Sequence, residues 1–192
     1  GAGVAGLQAI ATAKRLGGIV SATDVRTTAK EQVESLGGKF LSVDSAENLE
    51  TKSGYAKEAG EDFKKKQAEL LKNSIIKNDI VICTALIPGQ KAPRIISEDM
   101  VKSMKPGSII YDLAVGQGGN SAFSEADKVN VVNGVKVMGA QNILNNLALS
   151  ASSLYAKNLS SFVNNLYSKE KKDIHINQED EIISKTLINK EL

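Results

Sequence analysis

Gly1-Ala2-Gly3-Val4-Ala5-Gly6 has the spacing G-x-G-x-x-G. In that pattern one glycine permits a tight turn, one lets the backbone approach a pyrophosphate, and one lets a helix pack closely on a strand. The helix it opens offers free N–H groups and a partial positive charge to phosphate. Asp24 ends the next apolar segment, the place for a carboxylate that hydrogen-bonds an adenosine ribose and repels a 2′-phosphate. Arg26 beside it is a residue type that accepts a 2′-phosphate. Asp24 comes first, so the pattern favours NAD(H) over NADP(H). Two later loops, Thr84-Ala85-Leu86-Ile87-Pro88-Gly89 and Asp112-Leu113-Ala114-Val115-Gly116-Gln117-Gly118-Gly119-Asn120, each follow an apolar run at the end where ligands sit in open α/β sheets. They read either as the lining of the nicotinamide half or as tight turns.

Other chemistry is not written in the chain. His175 is the single histidine and falls in a charged stretch, where a solvated spectator is expected. No His/Cys/Asp cluster has metal-ligand spacing, and no Ser or Cys nucleophile motif occurs. Cys83, the single cysteine, lies in the apolar run Ile80-Val81-Ile82-Cys83 and reads as a buried small side chain in a reducing compartment. Lys64-Lys65-Lys66 reads as a solvated helix face. A net charge of +2 and an aromatic content of 4% argue against nucleic acid as a partner. No run approaches the ~20 apolar residues of a membrane span. The chain therefore reads as cytosolic, and as cut at its N-terminus because no strand and no Met precede the motif.

The elements that must position these groups follow from periodicity. Helices are expected over 3–16 and 27–36, each closed by a Gly-Gly pair, with strands over 19–23 and 39–43. Residues 44–59 read as a long polar loop. A helix over 61–77 then leads into a continuous apolar strand over 79–84, the pattern of a buried parallel strand. Ser97-Glu98-Asp99 starts a further helix, Ser108 to Leu113 is another buried strand, and Asn130 to Met138 is a hairpin turning at Asn133-Gly134. A long helix spans about 147–167, and 168–192 reads as a charged, mobile tail with one or two helical turns near Ile182.

This order predicts an α/β fold, a Rossmann-like doubly wound parallel sheet lacking its first, central strand, with a long C-terminal helix. The expected organisation is a dinucleotide-binding domain over 1–140, the long helix over 141–167, and the tail over 168–192.

Several longer motifs make the chain recognisable: Gly1 to Ala11, Gly54-Tyr55-Ala56-Lys57, Lys64-Lys65-Lys66-Gln67, Thr84 to Gly89, Met104-Lys105-Pro106-Gly107-Ser108 and Gln117-Gly118-Gly119-Asn120. Together they resemble the NAD(H)-binding domain of the alpha subunit of proton-translocating NAD(P) transhydrogenases, with alanine dehydrogenases as the nearest relatives. The resemblance runs from Gly1 to about Tyr167. It implies hydride transfer from NADH here to NADP⁺ on a partner subunit, which binds NADP(H), coupled to proton translocation, with positioning in place of acid–base catalysis. It implies that Gly1, Gly3, Val4, Ala5 and Gly6 hold the pyrophosphate and that Asp24, Val25 and Arg26 flank the adenosine ribose. Thr84, Ala85, Leu86, Asp112, Leu113, Ala114, Gln117 and Asn142 would then serve the nicotinamide side. Gly54, Tyr55 and Ala56 would belong to a loop that closes over nucleotide.

The implied partners are the N-terminal remainder of the alpha subunit, the membrane and NADP-binding subunits, and a second copy through this domain. The implied location is cytoplasmic, peripheral to the inner membrane through those subunits, and the chain alone is not expected to turn over. Gly116, Leu144 and Asn146 depart from the family's pattern. An alanine dehydrogenase fragment and a non-catalytic nucleotide-binding remnant are the alternatives.

Overall fold

A computed structural model describes residues 1–43 and 60–188. The chain divides into two compact units, Gly1–Gln141 and Asn142–Leu192.

The first unit begins with helix α1 (Val4–Arg15), strand β1 (Ser21–Ala22), helix α2 (Ala29–Ser35) and strand β2 (Lys39–Phe40). Both helices end for the same local reason. Gly17 and Gly37 take φ of +86° and +78°, and the amides of Gly18 and Gly38 turn back onto the carbonyls of Ala13 and Val33 at 2.8 and 3.1 Å. This is the left-handed glycine stop that the Gly-Gly pairs announce. Strand β1 pairs with β2 in parallel, Ser21 opposite Lys39. Ile10, Ala29 and Val33 close a small core with Ala2 under this pair.

Helix α3 (Glu61–Ile75), strand β3 (Ile80–Cys83), helix α4 (Glu98–Ser103), strand β4 (Ile109–Asp112), strand β5 (Val129–Val132) and strand β6 (Val135–Gly139) follow. They build a second sheet in the order β3-β4-β6-β5. Strands β3, β4 and β6 run parallel, and β5 is antiparallel to β6. The hairpin between β5 and β6 turns at Asn133 and Gly134, both at positive φ (50° and 79°), as a two-residue Asn-Gly turn requires. Ser97 caps α4 by accepting from the Met100 amide. Ile75, Met100, Val101 and Met104 pack on Ile110 and Val137. Burying each of those two fully enclosed side chains is worth about 1.5–3 kcal/mol.

The parallel, doubly wound fold is thus present, and the strands of the first unit form two separate sheets, β1-β2 and β3-β4-β6-β5. β1 and β3 are not bonded to each other. The expectation of a fully buried strand at 79–84 is corrected by this arrangement. Cys83 is 7% exposed, but Ile80 and Ile82 are 64% and 43% exposed, because β3 is an edge strand packed on one face only.

The second unit contains helix α5 (Ala148–Leu166), a short hairpin of β7 (Tyr167–Ser168) and β8 (Asp173–Ile174), and helix α6 (Glu181–Thr186). The helical turn expected near Ile182 is α6, and the hairpin before it is structure that the reading of a charged tail did not include. Asp180 caps α6 through the Ile182 and Ile183 amides, and Ile183 is buried. No described helix is long and apolar enough to cross a membrane.

Burial, followed by the negative charge of Asp112, pushes the Cys83 thiol up to about 12. The nucleophile is the thiolate. Cys83 should therefore resist a thiol-reactive dye at pH 8 in the native protein and react at once in guanidinium. Rapid labelling of folded protein would contradict its place under the sheet.

Candidate nucleotide-binding site

The glycine loop is bound to the carboxyl ends of both sheets. The Ala2 amide donates to Asp24 Oδ2 at 2.7 Å, just beyond β1, and Thr84 Oγ1 donates to the Gly1 carbonyl at 2.9 Å, just beyond β3. The three glycines have different reasons to be glycine. A Cβ on Gly6 would lie 2.1 Å from the Gly1 carbonyl oxygen, and one on Gly1 would lie 3.0 Å from Thr84 Oγ1. A Cβ on Gly3 would meet nothing within 4 Å, so its exposed side faces open space. Helix α1 starts there, with Gly3 as its N-cap and no acid in the first turn. Its leading amides have no helical partner, and Val4 is 91% exposed. Free N–H groups at a helix start are donors of the kind that anions accept from.

Asp24 stands beside the loop. Arg26 donates from Nε to Oδ1 at 2.9 Å and from Nη2 to Oδ2 at 3.0 Å, and the Arg26 amide reaches Oδ1 at 2.9 Å. Burial pulls the Asp24 carboxyl upward, but the Arg26 guanidinium, the Ala2 amide and the Arg26 amide outweigh it. The carboxyl is held below its ordinary value and is ionised at neutral pH. A carboxylate at the end of strand β1 is of the type that hydrogen-bonds a ribose diol. Val25 lies between the two charged residues in the same partly buried turn.

The loop after β3 carries Thr84, Ala85 and Leu86. Leu86 is 44% exposed, and Pro88-Gly89 forms a turn in which Gly89 has φ +72° and Gln90 donates to Ile87. The loop after β4 is more buried. Asp112 is fully enclosed, and its oxygens accept from the Ala114 and Ser121 amides, both at 2.9 Å. Gly118 and Gly119 have φ of +101° and +78°, and a Cβ on Gly119 would sit 2.9 Å from Asp112 Oδ2. Asp112 thus folds the loop around itself and leaves Leu113 and the exposed Gln117 at its rim. Gly116 is exposed, and a Cβ there would meet only Gln141 Cγ at 3.9 Å, so the fold does not demand glycine at that departure from the family pattern.

Asn120 is a site residue that sequence reasoning misses, although it closes the Gln-Gly-Gly-Asn motif. Its Oδ1 accepts from the Ala85 amide at 3.0 Å, and its Nδ2 donates to the Ala85 and Pro93 carbonyls at 2.8 and 2.9 Å. This buried amide locks the two ligand-side loops together. Arg94 supports it from outside by donating to the Ser121 and Gly118 carbonyls. Neither link is legible in the chain, because both join residues remote in sequence. Gly54, Tyr55 and Ala56 lie outside the described residues. Asn142 belongs to the second unit and is exposed; the remaining candidates lie in the first.

Fold and site together define a Rossmann-like nucleotide-binding domain. The sequence pattern of the family "Alanine dehydrogenase/PNT, C-terminal domain" matches residues 1–191, and the chain belongs to that family. It is 54% identical over its whole length to an NAD(P) transhydrogenase alpha subunit of Rhodospirillum rubrum, the first of the pieces into which that subunit is divided, and it covers 50% of that protein. To the protein of the same name from Rickettsia prowazekii it is 48% identical, again over the whole chain and 49% of the relative. The crystal structure of transhydrogenase from Sinorhizobium meliloti superposes with a TM-score of 0.77 at 49% identity, covering 96% of this chain and 47% of that one. The chain thus spans about half the length of the curated relatives it matches.

Two outcomes follow. Replacing Asn120 with Ala strands the Ala85 amide and should cost about 2–3 kcal/mol in chemical denaturation; a neutral change would mean the loops are not joined there. The depressed Asp24 pKa stabilises the folded state above the ordinary carboxylate range, and that contribution is lost as pH falls through the folded value. Asp24→Asn should therefore melt earlier than wild type at pH 7, with the gap closing in acid. A gap independent of pH would rule out this linkage.

Proposed function

We infer that the chain is the NAD(H)-binding part of a proton-translocating NAD(P) transhydrogenase. The observation that carries this reading is the open side of Gly3 at the head of α1, beside the ionised Asp24. The whole-length likeness to transhydrogenase alpha subunits supports the choice within the family.

In this reading the α1 amides and the glycine loop hold the pyrophosphate. Asp24 takes the adenosine ribose, and Val25 and Arg26 border it. Thr84, Ala85, Leu86, Leu113, Ala114 and Gln117 serve the nicotinamide side, with Asp112 acting from beneath its loop. Bound NADH supplies the hydride; the residues of this chain orient it and exclude water, which transfer between two nicotinamides requires in place of an acid or base. The acceptor NADP⁺ sits on a partner subunit, and proton translocation belongs to the membrane subunit. The N-terminal remainder of the alpha subunit and a second copy complete the assembly, which lies on the cytoplasmic side of the inner membrane. The chain by itself does not turn over.

The test is NADH titration of the complete protein by nucleotide fluorescence. Gly3→Ala adds a methyl only to the open space assigned to the pyrophosphate. It should leave the melting temperature unchanged while weakening NADH binding about 10-fold or more. Gly6→Ala should instead lose the fold, because its methyl meets the Gly1 carbonyl. Unchanged NADH affinity in a folded Gly3→Ala would refute the assignment. Turnover of pyruvate and ammonia with NADH would move the protein to the alanine dehydrogenase branch.

A further inference from the structure

A carboxylate has about four acceptor sites, and four N–H donors already occupy Asp24. The Ala2 amide and Arg26 Nη2 reach Oδ2 at 2.7 and 3.0 Å, and the Arg26 amide and Nε both reach Oδ1 at 2.9 Å. Two of these donors are backbone amides whose positions the fold sets. The other two are the prongs of one guanidinium, laid in a fork along the carboxylate edge. A ribose presents its vicinal 2′- and 3′-hydroxyls to a carboxylate as the same kind of two-pronged donor. The edge cannot accept both forks at once. Removing the guanidinium would still leave both oxygens fixed by an amide, so the carboxylate keeps its aim. The Arg26 side chain is 19% exposed, against 7% for Asp24, so the guanidinium is the more open partner of the pair.

We propose that Arg26 is a specificity-determining latch that occupies the ribose-diol position on Asp24 until a dinucleotide with a free 2′-hydroxyl displaces it. This rests on the NAD(H) reading above and adds to it a competitor within the chain. The measured affinity for NADH is then the intrinsic affinity reduced by the fraction of molecules with the latch open. A 2′-phosphate behaves differently. It has no second hydroxyl to give Asp24 and is repelled by it, but it can draw the guanidinium onto itself. Asp24 and Arg26 therefore pull selectivity in opposite directions: the carboxylate favours NADH, and the latch taxes NADH while giving NADPH its one favourable contact.

The experiment measures NADH and NADPH affinities of the complete protein, wild type against Arg26→Ala and Arg26→Lys, with melting curves to confirm folding. Arg26→Ala should bind NADH about three- to tenfold more tightly and NADPH more weakly, so that discrimination widens. Arg26→Lys, a point charge without the fork, should fall between the two. NADH binding that is unchanged or weaker in a folded Arg26→Ala would overturn the latch and make Arg26 a support for Asp24 or for the nucleotide. If folded wild type binds no NADH, the NAD(H) reading fails and the latch with it, a result separable from the previous one. A second measurement needs no variant: the Arg26 Nε–H resonance should shift and exchange faster at saturating NADH. A resonance that stays unmoved while NADH is bound would equally overturn the proposal.

Discussion

The dipeptide Gly1-Ala2 is held from two sides. Asp24 accepts its Ala2 amide at the end of β1, and Thr84 donates to its Gly1 carbonyl at the end of β3. These two bonds place the start of α1 between sheets that do not hydrogen-bond to each other. They also impose the steric constraint on Gly6, whose Cα must pass so close to the Gly1 carbonyl that no side chain is possible. The leading amides of α1, the Asp24 carboxylate and the loop after β3 are thereby brought to one corner.

The two carboxylates of the site show how the same group does different work. Asp24 is ionised on a partly open rim, where its acceptors can be traded between protein and ligand. Asp112 is enclosed and satisfied by two amides of its own loop, with Gly119 pressed against it. One carboxylate holds four donors at the end of its strand, and the other shapes its own loop. Asn120 and Arg94 then tie that loop to the loop after β3.

Local features are legible in the chain. The Gly-Gly helix stops, the Asn-Gly hairpin and the Ser97 cap each depend on a backbone conformation that only a few residue types permit, and each stands where its residues do. The parallel pairing of the strands follows from the alternation of apolar runs with helical segments. Less legible is the exposure of Ile80 and Ile82: a continuous apolar run does not tell how many neighbours its strand has. Charge alone makes the segment after residue 167 read as a tail. Its few isoleucines and the Asp180 cap are nevertheless enough for a hairpin and a short helix.

By itself the sequence determined the glycine fingerprint, the acid that ends the next strand, the element order and the family, because these are properties of residue type and spacing along the chain. Tertiary structure alone decided which glycine borders open space and which borders a carbonyl. It also decided that Asp112 is enclosed within its own loop, that Asn120 joins two loops, and that Arg26 lies across the Asp24 carboxylate. Those are distances between segments that only folding brings together, and no local pattern encodes them.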